Sequence, residues 1–176
     1  MALTIARNPV VRHTALGDVA IVLWTGEPTI AANRWLVDGL LSSVVAKQPS
    51  CIVLVFIGEH VSVPSAETRK DVQKVFRNEL APVRRLVNVP LGDSVKQTLF
   101  RSVLRAMAML GDSRRVVSVA GNIEEAIAAA RSVAGPQTPH PLALRGAIEA
   151  LFSDMDDKTL SPNAQPFVFA GVFALR

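Results

Sequence analysis

Glu59, His60 and Ser62 stand within four positions of one another in the stretch "IGEHVSVPSAETRKDV", Ile57 to Val72. A carboxylate, an imidazole and a hydroxyl are the parts from which an activated nucleophile is assembled. They act together when each group orients the next and nearby donors receive an oxyanion. The spacing supplies neither condition, and the chain has no G-x-S-x-G turn. An enzyme is not expected. The same stretch offers a plainer chemistry. Ser62 and Ser65 precede a segment with helical spacing, so either hydroxyl can cap a helix whose first turn carries Pro64 or Glu67.

Other reactive groups are sparse. His13, His60 and His140 are far apart and lack any ligand spacing, and no H-E-x-x-H occurs. Asp154, Asp156 and Asp157 imitate part of a calcium loop but lack its glycine and closing glutamate. There is no G-x-G-x-x-G and no Walker lysine motif. No metal or cofactor is expected. Cys51 is the single cysteine and lies in an apolar run, which excludes an internal disulfide and marks a buried thiol.

The net charge of +4 over 176 residues comes mainly from arginine, without interleaved aromatic rings, so nucleic acid is not an expected partner. Arg84-Arg85 and Arg114-Arg115 begin two strands expected to be neighbours. They either complement helix dipoles or form a docking patch for an acidic protein surface or a lipid headgroup. The longest apolar runs, "VAIVLW" and "CIVLVFI", fall far short of the roughly 18 residues a spanning helix needs. The N-terminal stretch, interrupted by Arg7 and Asn8, has no signal-peptide design, so a cytoplasmic protein is expected.

The elements that would position these groups follow from hydrophobic periodicity. "VVRHTAL" alternates and "VAIVLW" does not, giving a half-exposed strand and an interior one joined near Leu16-Gly17-Asp18. Thr29 caps a helix with Ile30, Trp35, Leu36, Leu40, Leu41, Val44 and Val45 on one stripe. "CIVLVFI" is the central strand. A second helix follows the serine loop, with Val72, Val75, Phe76 and Leu80 inward, and "VRRLVNVPL" is a further strand. Asp93 opens a helix that buries Val95, Leu99, Phe100, Val103, Met107 and Leu110 and ends at Gly111. "RRVVSVAG" is the last strand, and Asn122 with Glu125 forms a capping box for "IEEAIAAARSVA".

This β-β-α-β-α-β-α-β-α order predicts a mixed α/β sheet of about five strands with four helices, parallel after the hairpin. Parallel strands would gather Glu59, His60, Ser62, Ser65, Asp93, Ser94 and Asn122 at the carboxyl edge, where open α/β sheets bind ligands. After residue 134, "GPQTPHP" reads as a linker, followed by an amphipathic helix with Leu142, Leu144, Ile148, Leu151 and Phe152 inward. The chain is thereby divided into a domain over 1–134 and an appendage over 135–176. The appendage ends in "FVFAGVFALR", whose Phe167, Val168, Phe169, Val172 and Phe173 are the candidate self-association residues. Such a half-open sheet would leave apolar ground for another molecule to cover.

From Val10 to Val133 the chain resembles the STAS fold of anti-sigma factor antagonists and their SEC14-like relatives. The resemblance is carried by "GDVAIVLWTGEPTIAANRWLVDGLL", "CIVLVFIGEHVSVPSAETRKDV" and "RRVVSVAGNIEEAIAAA". It implies a non-enzymatic interaction module that docks a kinase, an anti-sigma-like protein or another regulatory protein, with Ser65 first and Ser62 second as phosphoacceptor. A phosphate at a helix N-terminus meets unpaired N–H groups and the positive dipole end. The chain departs from the family's Asp-Ser-Ser-Gly-like switch: it reads Val-Pro-Ser-Ala-Glu, and Glu67 disfavours added negative charge. The implied partner-binding residues are Glu59, His60, Arg69, Arg84, Arg85, Arg114 and Arg115. The alternative that the SEC14-like resemblance allows is a module binding a lipid or another small apolar ligand.

Overall fold

The computed structural model describes residues 3–45, 47–48, 50–78, 82–92, 97–98, 100–102, 104 and 116–153. Its six-stranded sheet has strands in sequence order: β1 (Ala6–Arg7), β2 (Val11–Leu16), β3 (Val19–Trp24), β4 (Cys51–Ile57), β5 (Val83–Pro90) and β6 (Val116–Val119). The first three are antiparallel, and β3 through β6 run parallel. The expected mixed sheet is present, with the two-residue β1 as an extra strand on the hairpin edge.

Strands in sequence order fix where the helices go. Right-handed crossovers that all step in one direction put their helices on one face of the sheet. On that face lie α1 (Ile30–Leu40), a π-helical turn (Leu41–Val45) and α2 (Ala66–Asn78), together with the helical residues Phe100 and Leu104. They pack on Ala20, Val22 and Trp24 of β3 and on Cys51, Val53 and Ile57 of β4. The opposite residues, Val19, Ile21, Leu23, Ile52, Leu54 and Phe56, meet α3 (Ile123–Arg131) and α4 (Pro141–Ser153). Burial on both faces is why β3 and β4 are apolar throughout.

Two sequence expectations change here. The sheet is not half-open, because α3 and α4 cover the second face, with Leu144, Ile148 and Leu151 fully buried. The helix beyond the linker is likewise part of the main core, and Phe152 meets Phe56 edge-on with ring centroids 5.2 Å apart.

Local chemistry accounts for the element ends. Thr29 caps α1 by accepting the Ala32 N–H at 3.1 Å. Gly17, at φ +59, takes the first central position of the two-residue β2–β3 turn, as a II′ hairpin asks. A side chain there would collide with the Gln137 carbonyl, so the 135–139 linker lies directly on this turn.

β5 carries a bulge. Cys51 faces Val83 and Ile52 faces Arg85, so Arg84 is the extra residue. The bulge shifts the inside–outside alternation by one place. Val83 and Leu86 consequently join the α1–α2 core, and Val87 and Val89 join the α3–α4 core.

Candidate functional site

Parallel pairing brings the loops after β3, β4, β5 and β6 to one edge of the sheet. The loop after β4 is held from below by several bonds. Gly58 N donates to Trp24 O at 2.9 Å, and Val61 N donates to Gly58 O at 3.1 Å. Val61 is buried as the plug of the loop. Gln97, 1% exposed, donates through Nε2 to the carbonyls of Gly58 and Glu59 at 3.1 and 3.2 Å. Arg101 ties the neighbouring loop down by donating to the carbonyls of Pro90 and Gly92 at 3.1 and 2.8 Å. Sequence reading missed both Gln97 and Arg101. Their acceptors are backbone carbonyls of neighbouring loops, which no side-chain type announces in the sequence.

Above these anchors the side chains stand separately. His60 and Ser65 are exposed, and Glu59 and Ser62 are half-buried. No side-chain hydrogen bond joins Glu59, His60 and Ser62. The Glu59 side chain instead lies where a Cβ on Gly92 would be, 3.1 Å from its carboxyl carbon, and Gly92 has φ +88. The trio therefore lacks the geometry of an activated nucleophile.

Ser65 takes the plainer role. Its Oγ accepts the Thr68 N–H at 3.1 Å and lies 3.0 Å from Thr68 Oγ1, capping α2. Glu67 stands in the first turn, where its charge favours the helix. Arg69 N donates to Ser65 O at 2.9 Å, which places Arg69 one turn along α2. At the loop after β6, Glu125 N donates to Asn122 Oδ1 at 2.8 Å and Gly121 N donates to Glu125 Oε2 at 2.7 Å. Asn122 thus caps the helix as expected, while Glu125 reaches back to the N–H of Gly121, one residue before the cap. Asp93 and Ser94 lie outside the described residues.

Arg84 and Arg85 lie at the opposite edge, at the amino end of β5. Arg84, set by the bulge, donates through Nη2 to Asp18 Oδ2 at 2.9 Å, and Thr138 Oγ1 donates to the same oxygen at 2.8 Å. Asp18 is 3% exposed while Arg84 stays half-buried, so Arg84 is paired with a buried carboxylate that also binds Thr138 of the linker. Arg85 is half-buried on β5. Arg114, Arg115, Phe167, Val168, Phe169, Val172 and Phe173 fall outside the described residues.

Cys51 adjoins this pair and is fully buried. Burial, then the Asp18 carboxylate, push its thiol up to about 11, with Arg84 pulling the other way. A thiol held protonated is a poor nucleophile. Among the described residues no group of acids, histidines or cysteines could hold a metal ion, and no helix is long and apolar enough to cross a membrane.

No family model and no curated protein matches the chain. Among solved structures it is similar to the crystal structure of a DUF3478-family protein with a SpoIIAA-like fold from Shewanella loihica PV-4. The identity is 15% and the TM-score 0.47, over 72% of this chain and 90% of that one.

Proposed function

We infer that the protein is a non-catalytic module of the STAS type that binds another protein, of the kinase, anti-sigma or other regulatory kind, through the carboxyl edge of its sheet. One observation carries this reading. Ile30 at the start of α1 and Val63 in the loop before α2 are 37% and 38% exposed, on the edge that also presents His60 and Ser65, while the third large exposed apolar side chain among the described residues, Leu142, lies on α4. Exposed apolar and polar side chains on one edge supply the kinds of group that a contact surface uses. Glu59 and Arg69 belong to the same contact surface in this proposal. Ser65 is the site at which a kinase would act on this surface: a phosphate there would remain at a helix N-terminus while changing the charge met by a partner.

Arg85, Arg114 and Arg115 form a second and separate contact in this proposal. Arg84 is left out because Asp18 holds it. Self-association is assigned to the 167–173 segment. The lipid alternative gains nothing from the pocket between α1 and α2, which measures about 50 Å³, whereas drug-sized ligands take roughly 300–1,000 Å³.

The test is affinity capture from native lysate with the wild-type protein and with an Ile30→Asp, Val63→Asp double variant. The double variant should lose a specific partner while keeping its circular dichroism spectrum. An identical set of captured proteins would reject the edge as the contact surface.

A further inference from the structure

We propose that the end of α1 is a proton-operated catch: when His13 takes up a proton, the last turn of α1 and the π-helical turn after it release β2, while β3 to β6 stay paired. Three observations meet at this ring. His13 is 4% exposed on β2, and neither Nδ1 nor Nε2 has a hydrogen-bond partner in the protein. Its Nε2 lies against Gly39, where a Cβ would collide with the ring, and Trp35 meets it edge-on. Directly beyond this contact the helix changes its winding, at Leu41–Val45.

The closed interface has no place for the charged ring. A neutral imidazole carries one N–H and one acceptor nitrogen, whereas the protonated ring carries two N–H groups and a charge. Both nitrogens are already unpaired, so the added charge would be buried without a partner. The carbonyl of Gly39 is taken, since it accepts the hydroxyls of Ser42 at 3.1 Å and Ser43 at 2.6 Å. Nor does a neighbouring charge offset the proton. Val11 and Ala15 share the ring's face of β2, which puts Arg12, and Arg7 opposite it on β1, on the other face. β3 and the Leu41–Val45 turn carry no charged residue. On α1, Asp38 is exposed and Arg34 is bonded to Asp71. Protonation therefore requires that water reach the ring.

The helix is the side that yields. β2 is paired along its whole length with β3, and His13 itself stands between Ala6 and Val22. Over the ring, the helix offers a glycine and the half-buried Trp35, with the half-buried Leu41 and Ser43 in the turn that follows. Sharp bends in helices fall at π-helical turns and at glycine or serine pairs, and Gly39, Ser42 and Ser43 put both within five residues. Burial lowers the imidazole's pKa from its ordinary 6.5 in the closed state. Opening is accordingly favoured as the pH falls below about 6.5. The catch is independent of the carboxyl-edge contact proposed above.

The test is amide hydrogen exchange of the full chain at pH 7 and pH 5, with labelling times scaled to the intrinsic exchange rates. At both values residues 39–45 should exchange faster than Cys51–Ile57 and without response to dilute urea, as an opening that exposes little surface does. Between pH 7 and pH 5 their protection should fall by up to about 25-fold, the ratio that one imidazole titrating at about 6.5 in the open state permits. His13→Leu, which fills the site without a titrating group, should hold that protection constant. His13→Gln, which stays polar but takes up no proton, should do the same and keeps the proposal testable if the first variant does not fold. Protection of residues 39–45 that responds to urea in step with Cys51–Ile57 would overturn the catch, because the opening would then be global. So would a wild type with no pH response, or a folded variant that keeps the wild-type response.

Discussion

His13 sits inward on β2, 4% exposed, with its ring edge-on to Trp35 at a centroid distance of 5.2 Å. Neither ring nitrogen has a hydrogen-bond partner. Gly39 leaves the room: a Cβ there would run into the ring. Burial lowers the imidazole's pKa from its ordinary 6.5, because a charge in this apolar site would have no acceptor. The sign follows directly. The unfolded chain takes up the proton first, so His13's contribution to stability is flat above about pH 6.5 and falls as the pH drops below it. One group contributes a slope of at most about 1.4 kcal/mol per pH unit. Urea midpoints for the wild type should therefore fall between pH 7 and 5, and His13→Leu should remove that part of the fall. An unchanged profile in the variant would mean that the slope comes from other groups.

Ser65 raises the next question at the scale of the element. Because its hydroxyl accepts the Thr68 N–H, Ser65→Ala should cost about 1 kcal/mol, read as a lower thermal midpoint. Ser65→Asp should keep the cap and most of the stability, since a carboxylate is an equally good cap at the positive end of a helix. Ser62→Ala should change little, because Ser62 makes no capping bond. If instead Ser62→Ala proved the more damaging, the helix start has been misplaced.

Much of this was legible in the chain. Thr29 and the Asn122–Glu125 pair announced their helices by type and spacing, and the apolar runs at β3 and β4 announced interior strands. What local pattern could not convey is long-range. Arg84 looked like part of a surface patch because Asp18 lies 66 residues away in sequence, and nothing near Arg84 announces the bulge at which it pairs with that carboxylate. The half-open sheet was an error of the same kind. A β3 apolar at every position already requires two covers, yet only the strand order reveals that the crossover helices share one face.

With both faces of the sheet covered, the whole molecule has a restricted way to assemble through "FVFAGVFALR". An apolar segment joining another copy would have to find an edge strand, and β1 and β6 are the outermost strands of the described sheet. Removing residues 159–176 should yield a smaller species by light scattering at equal concentration. A species of unchanged size would place self-association elsewhere or nowhere. Replacing Arg85 by Gln, together with Arg114 and Arg115, tests the second contact without disturbing the Asp18 pair, and should weaken partner capture without lowering the thermal midpoint.

The extra residue in β5 makes that strand a reading frame as much as a structural member. Substituting Arg84 by Ala removes one ion pair with a buried carboxylate, at about 2–4 kcal/mol. Deleting it should be far worse. Either the strand closes the gap and presents Leu86 and Val87 to the wrong layers, or it keeps them in place and breaks its pairing with β4. Point changes at position 84 should thus survive as weakened folded proteins in a denaturation assay, while the one-residue deletion should give no cooperative transition at all.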